Sequence, residues 1–313
     1  RAPRSITPRV MLAQYYLREN QLDKADAQVD EAMKIAPQKP PELLALRGRV
    51  LMAHGRYNDA LSTLNELITR EPNSVFARAL LAETYLGLGQ PEDARRQLEV
   101  ALKKQPNYVP ALELMARTSL QAGDYERAVA FANQVQKAQP DLYLGFELAG
   151  DAWMARKNFA KAKSVYKQAW DRSQNAELAI KFSEALTHTG QPGDAVAILS
   201  GWLKDHSDDA RVRQFLGIAY QNMGQNNQAI QEYEKVLALQ ADNVVALNNL
   251  AWLYSLTNEP EALGLADKAY QLPPDGAEIQ DTYGWILVQH GQVDVGRSLL
   301  ERAMKALPEA PPE

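Results

Sequence analysis

The chain has 313 residues, of which 46% are hydrophobic and 23% charged, and its formal net charge is −5. This balance is typical of a folded soluble chain and argues against a nucleic-acid partner, because binding a phosphate backbone requires a basic surface. The absence of cysteine excludes disulfides, thiolate metal sites and a cysteine nucleophile. No stretch approaches the roughly 18 apolar residues of a membrane span, so we expect no direct membrane crossing.

One residue pattern recurs along the whole chain with a period of 33 to 35 residues. The segments 55–72, 89–106 and 123–140 each begin with glycine, have alanine five residues later and end with proline. The central alanines are Ala25, Ala60, Ala94, Ala128, Ala162, Ala195, Ala229 and Ala262, and Gly296 takes the ninth place. A period of this length predicts a helical repeat protein.

Each repeat is predicted to contain two helices joined by a short turn. The glycine ends the first helix, and the proline stops the second, because proline disfavours helix in the residue before it. We expect one solenoid over residues 1–313. Its repeats, in chain order, are 6–40, 41–74, 75–108, 109–142, 143–175, 176–209, 210–243, 244–276 and 277–308.

Small residues at a fixed place in the first helices predict close contact between neighbouring helices. They are Gly48, Ala82, Ala116, Gly150, Gly217, Ala251 and Gly284. The middle of the chain departs from the pattern: Lys157 replaces the turn glycine, and Gln174, Ser207 and Ala241 replace the closing proline. We therefore expect a change of superhelical pitch at residues 171–176.

The pattern resembles the tetratricopeptide repeat (TPR), most closely over residues 215–240, "FLGIAYQNMGQNNQAIQEYEKVLALQ". The resemblance implies an all-α, right-handed superhelical solenoid of about nine helix–turn–helix repeats. It also implies a concave groove, lined by the fifth and ninth positions of the first helices, that binds a protein or peptide segment. The fold alone does not identify the partner.

Aromatic and amide residues occupy groove positions in the last two repeats. In "NNLAWLYSL" (248–256), Asn248 and Trp252 take the fifth and ninth positions, and Asn249 lies beside them. Asp281 and Trp285 take the same two positions one repeat later. We expect the two tryptophans to lie side by side as an anchor for a partner. Alternatively, they pack against the neighbouring helix and support the end of the solenoid.

Acidic residues occupy groove positions in the middle repeats. Besides Arg117, the candidates are Glu113, Glu147, Asp151 and Glu184. A partner with a basic segment followed by an apolar or aromatic anchor would fit this arrangement. Alternatively, the charges only solvate the surface. No repeat has the lysine and asparagine pair with which chaperone-binding members of the family hold a terminal carboxylate.

We expect no catalysis, metal or cofactor. His54 and His290 each precede a turn glycine but lie in distant repeats, so they cannot share an ion that requires three or four converging ligands. The sequence contains no phosphate-binding glycine loop or nucleophile–base set.

A second resemblance concerns residues 248–303, which are similar to the C-terminal repeats of lipoproteins of exosortase (PEP-CTERM) exopolysaccharide systems. Related patterns occur in outer-membrane lipoproteins that deliver substrates to periplasmic proteases. The resemblance implies a fragment of a longer, lipid-anchored periplasmic protein. A cytoplasmic location is the alternative.

Two functions follow as hypotheses. The chain is either a non-catalytic scaffold for an exported protein, an assembly partner or a protease, or a structural solenoid that guides polysaccharide. We also expect self-association through open solenoid ends, with Leu299, Leu300 and Leu307 uncovered at the last helix.

Overall fold

The computed structural model describes residues 5–273 and 275–306, and all regular secondary structure within them is α-helical. Eighteen helices follow one another in nine pairs, and we call the earlier member of each pair the first helix and the later member the second. The pairs are α1 (Thr7–Arg18) and α2 (Leu22–Ile35); α3 (Pro41–Ala53) and α4 (Tyr57–Arg70); α5 (Val75–Gly87) and α6 (Pro91–Lys104); α7 (Val109–Gln121) and α8 (Tyr125–Ala138); α9 (Leu144–Ala155) and α10 (Phe159–Trp170); α11 (Ala176–His188) and α12 (Pro192–Leu203); α13 (Ala210–Asn222) and α14 (Asn226–Leu239); α15 (Val244–Leu256) and α16 (Glu261–Gln271); α17 (Ala277–Gln289) and α18 (Val293–Ala306). The prediction of an all-α chain of nine helix–turn–helix repeats is confirmed for the described residues.

The turn inside each repeat requires a left-handed backbone at one residue. Glycine is favoured there because it has no Cβ to clash with the following carbonyl. In six repeats this residue is Gly55, Gly89, Gly123, Gly190, Gly224 or Gly291, with φ between 70° and 79°. Asn20, Lys157 and Asn258 take the same conformation in the remaining repeats, with φ of 54°, 58° and 57°. Lys157 therefore keeps the turn in spite of its Cβ.

The length of the second helix does not follow the closing proline. In repeats that have it, α4, α6 and α8 each contain 14 residues. Where Gln174 and Ser207 replace it, α10 and α12 contain 12, but α14 contains 14 although Ala241 replaces it.

Small residues in the first helices allow the paired helix to approach closely. A Cβ on Gly150 would lie 2.2 Å from Cε1 of Tyr166 on α10, and a Cβ on Gly284 would lie 2.9 Å from the carbonyl oxygen of Gly296 on α18. Both distances are shorter than van der Waals contact. The helices therefore pack as they do because these positions have no side chain.

The hydrophobic core lies between successive repeats. One cluster combines Ala82, Ala94 and Leu98 of the third repeat with Ala111 and Met115 of the fourth. Because a single repeat cannot bury its own apolar face, neighbouring repeats stabilise each other.

The chain divides into two compact units at Ser173 and Gln174. Unit 1 contains α1–α10 and unit 2 contains α11–α18. The boundary falls in the segment 171–176, where the sequence departs from the repeat pattern. The change of pitch expected there stays a prediction. Among the described helices, none has both the length and the apolar character needed to cross a bilayer.

The last helix differs from the expectation. Leu299 is only 6% exposed. A Cβ on Gly284 would lie 3.2 Å from Cβ of Leu299 and 3.0 Å from Cγ of Leu300, so both leucines face α17. The expectation that Leu299 is uncovered was wrong, because the missing side chain at Gly284 lets α17 cover it, and Leu300 is half-buried. Leu307 lies outside the described residues. Exposed apolar residues on α18 are Val293, Val295 and Met304.

Candidate functional site

Trp252 and Trp285 of unit 2 lie on first helices that contact each other, α15 and α17. Trp285 is 44% exposed. Trp252 is half-buried and packs against a cluster that includes Tyr233, Leu250 and Leu253. Equivalent positions in the repeat therefore give one open aromatic surface and one that is partly in the core. We call Asn248, Trp252, Asp281 and Trp285 the tryptophan site.

The neighbouring amides Asn248 and Asn249 have different surroundings, since consecutive helical residues point about 100° apart. Nδ2 of Asn249 donates a hydrogen bond to the hydroxyl of Tyr233 at 3.1 Å, so this amide belongs to the packing between repeats. Oδ1 of Asn248 is buried and has no hydrogen-bond partner among the described residues. Asp281 is exposed on α17. A buried acceptor without a donor is costly, so Asn248 contributes little to the stability of the fold through this oxygen.

The acidic candidates of unit 1 have partners within the protein. Glu113 accepts a hydrogen bond from Nε of Arg117 at 3.0 Å, one turn along α7. Asp151 accepts one from the hydroxyl of Tyr166 at 2.7 Å. Glu147 is buried, with 8% of its surface exposed. Glu113 is therefore paired within α7, and Asp151 is paired with the second helix of its own repeat. The remaining candidate, Glu184, lies in unit 2.

Glu184 lines a cleft of about 280 Å³ between α11 and α13, which we call the unit 2 cleft. Its lining residues are Ser183, Glu184, Thr187, His188, Phe215, Ile218, Ala219 and Asn222. Burial raises the pKa of Glu184, and the nearby His188 partly opposes that shift. The sequence indicated Glu184 by its ninth position but missed Phe215, Thr187 and Asn222. These residues form one cleft only when α11 and α13 pack together, and the two helices begin 34 residues apart (210 − 176).

A second cleft, of about 400 Å³, lies within unit 1, and we call it the unit 1 cleft. It is lined by Leu17, Arg49, Met52, Ala53, Tyr57 and Glu83. Arg49 and Glu83 interact electrostatically across it. This cleft therefore already contains a cation for its carboxylate.

The histidines do not form a metal site in the described part of the chain, where no group of three or more potential ligands converges. His206 stacks on Trp202 with ring centroids 3.6 Å apart. The indole of Trp202 donates a hydrogen bond to Asp209 at 2.9 Å. This cluster closes the turn between α12 and α13.

Helix pairs with shared cores and clefts between their first helices define a helical-repeat interaction protein. The tetratricopeptide repeat model matches residues 51–112, 93–145 and 154–217, and a second tetratricopeptide repeat model matches 210–243. The chain belongs to the tetratricopeptide repeat family. Its fold is that of a protein–protein interaction scaffold, and proteins of this family are typically non-catalytic.

The curated relative is a TPR repeat-containing protein of Pseudomonas aeruginosa, 27% identical over 144 residues. The match covers 44% of this chain and 24% of that protein, so the chain spans about a quarter of its relative.

Similar solved structures share the fold at low sequence identity. A tetratricopeptide repeat protein from Parabacteroides merdae has a TM-score of 0.56 at 15% identity, covering 78% of this chain and 97% of its own. A chain of the APC/C hetero-tetramer Cut9–Hcn1 has 0.59 at 17%, covering 88% and 54%. Yeast Tom70 has 0.57 at 13%, covering 98% and 86%. At such identities the likeness shows the fold alone.

Proposed function

We propose that this chain is a non-catalytic scaffold that binds an extended protein segment along the first helices of unit 2, anchored at the tryptophan site. The observation that carries the proposal is the exposure of Trp285, which is 44% exposed on a first helix that contacts the helix of Trp252. A large rigid apolar surface open to solvent is the type of residue in which interface energy concentrates.

Asp281 supports the same proposal. It is exposed on α17, at the position in its repeat equivalent to that of Asn248 on α15. An apolar side chain on Trp285 and a hydrogen-bond donor on Asp281 would together hold an extended segment.

The setting that we propose is protein or exopolysaccharide export in the bacterial envelope, on its periplasmic side. Support comes from the resemblance of residues 248–303 to repeats of exosortase-system lipoproteins. In this setting the bound segment belongs to an exported protein or to a component of the export machine.

The test selects peptides on the intact chain from a displayed random library and measures their affinity for variants. Trp285→Ala should weaken the selected peptides by about thirtyfold, because truncating an anchor aromatic costs roughly 2 kcal/mol. Phe76→Ala is the matched control, since Phe76 is a similarly exposed aromatic on a first helix of unit 1, 46% exposed. It should leave the affinity unchanged.

Two results would contradict the proposal. One is full affinity of the selected peptides for Trp285→Ala. The other is displacement of the peptides by soluble polysaccharide that itself binds through Trp285, which would favour the polysaccharide-guiding solenoid.

A further inference from the structure

The unit 1 and unit 2 clefts occupy the same place in the repeat, between two successive first helices. Their ninth positions are Arg49 and Glu83 in unit 1, and Glu184 and Ile218 in unit 2. In unit 1 a cation faces a carboxylate. In unit 2 the wall opposite the carboxylate is formed by Phe215, Ile218, Ala219 and Asn222 of α13, which are uncharged.

Glu184 is surrounded by charged groups of both signs. Four charged or titratable groups face it: Glu177, Lys181 and His188 from α11, and Arg211 from α13. Arg211 bonds to Glu177 at 2.6 Å, and Lys181 lies 3.8 Å from the same carboxylate. The two permanent cations are therefore shared with Glu177.

Burial has the largest effect on the Glu184 carboxylate. It raises the pKa of Glu184, which means that the ionised form has lost part of its hydration. A partly dehydrated carboxylate gains more from a bound cation than an exposed one, because water competes less for the charge.

The shape of the cleft limits which cation fits. Phe215 and Ile218 form an apolar wall beside the carboxylate, and Thr187 and Asn222 add hydrogen-bonding groups. A volume of about 280 Å³ exceeds what a single ion needs. Apolar contact along a stem and a charge at its tip are the properties of lysine and arginine side chains.

We infer that the unit 2 cleft receives a lysine or arginine side chain of a bound protein segment, with its aliphatic stem on Phe215 and Ile218 and its cationic group paired with Glu184. This inference deepens the proposed function, because the basic residue would belong to the segment anchored at the tryptophan site. The partner would thus combine a basic residue with an apolar anchor.

The experiment observes the δ1 methyl group of Ile218 by NMR in the intact, isoleucine-labelled chain. Three probes are titrated: N-acetyl-argininamide, N-acetyl-lysinamide and N-acetyl-norleucinamide, the last having an aliphatic stem without a charge. The two cationic probes should shift the Ile218 signal saturably, and norleucinamide should shift it at least tenfold more weakly.

Variants of Glu184 then test whether its negative charge holds the cationic probes. Glu184→Gln should weaken the cationic probes about tenfold, since a hydrogen bond to a charged group is lost. Glu184→Asp, which keeps the charge, should retain most of the binding and shows that the cleft is intact. Glu83→Gln, the equivalent carboxylate of the unit 1 cleft, is the matched control and should have no effect.

Equal shifts from norleucinamide and argininamide would overturn the inference and make the cleft purely apolar. Unchanged binding by Glu184→Gln would overturn it as well. Trp285→Ala should not alter the probe titration, so failure at the tryptophan site and failure at the cleft are distinguishable.

Discussion

A Cβ atom on Gly217 would lie 2.7 Å from Cε1 of Tyr233, whose ring lies against the first helix of its own repeat. Tyr233 is completely buried and cannot easily move away. Its hydroxyl donates to Oε1 of Gln221 at 2.9 Å and accepts from Asn249 at 3.1 Å. The side chain is therefore fixed at both its ring and its hydroxyl.

We predict that Gly217→Ala destabilises unit 2 by about 1–3 kcal/mol, because the added methyl group overlaps a fixed ring. Gly264→Ala is the matched control in the same unit: Gly264 is also helical, but its Cβ would meet no atom within 4 Å. That change should stabilise the chain by about 0.5–1 kcal/mol through helix propensity. Urea unfolding measures the change in the free energy of unfolding for each variant. If the two changes had the same sign, the explanation from close packing at Gly217 would be contradicted.

A reciprocal exchange tests the turn residue in unit 1. Lys157→Gly should stabilise by about 1 kcal/mol, because Lys157 has φ of 58° and glycine removes that strain. Gly123→Lys should destabilise by a similar amount, since Gly123 has φ of 74° and open space around it. Opposite shifts of the unfolding midpoint are expected. Equal shifts would show that contacts, not the backbone, determine the residue at this turn.

The two tryptophans should differ in their contribution to stability. Trp252→Ala is expected to lower the free energy of unfolding by roughly 2 kcal/mol, because Trp252 packs against a buried cluster. Trp285→Ala should lower it by less than Trp252→Ala does, because Trp285 is 44% exposed. Thermal unfolding of each variant measures the difference. A loss of stability in Trp285→Ala as large as that in Trp252→Ala would show that the Trp285 ring belongs to the core.

The adjacent amides should also differ. Asn249→Ala should cost about 1–2 kcal/mol, because the buried hydroxyl of Tyr233 loses a hydrogen-bond donor. Asn248→Leu should be neutral or stabilising, because it removes a buried acceptor that has no donor among the described residues. Chemical denaturation of the two variants, compared at the same pH, distinguishes them. Destabilisation by both would indicate that Asn248 has a structural role.

Alkaline pH should destabilise unit 2 through Tyr283. Burial, together with its hydrogen bond to Asp267 at 2.9 Å, raises the pKa of Tyr283 to about 12. The folded state therefore holds this proton more tightly than the unfolded state, whose tyrosine titrates near its usual value of about 10. Stabilisation is complete below about pH 10 and is lost as the pH rises through about 12.

Ultraviolet titration of the phenols measures this directly. Tyr283→Phe should remove one late-titrating group and reduce the loss of stability between about pH 10 and 12. Asp267→Asn removes the neighbouring charge and should shift that group towards its ordinary pKa. If the phenol titration at high pH were the same in Tyr283→Phe as in the unaltered chain, the raised pKa could not belong to Tyr283.

The repeat pattern was sufficient to predict the helices. Each period places apolar and small residues such as Gly150 on the side of a first helix that meets its neighbour, and local rules at the turn and at the closing proline end each helix. These residue patterns each extend over only a few positions. The nine helix pairs and the family could therefore be predicted from the sequence alone.

Which side chains at equivalent positions are exposed depends on how the repeats pack. Trp252 and Trp285 take the same place in their repeats, yet the packing around Trp252 covers half of it and leaves Trp285 exposed. Likewise Glu83 faces Arg49, whereas Glu184 faces Ile218 on the next first helix. Exposure and charge pairing depend on residues about 34 positions away, and that distance is bridged only when the repeats stack.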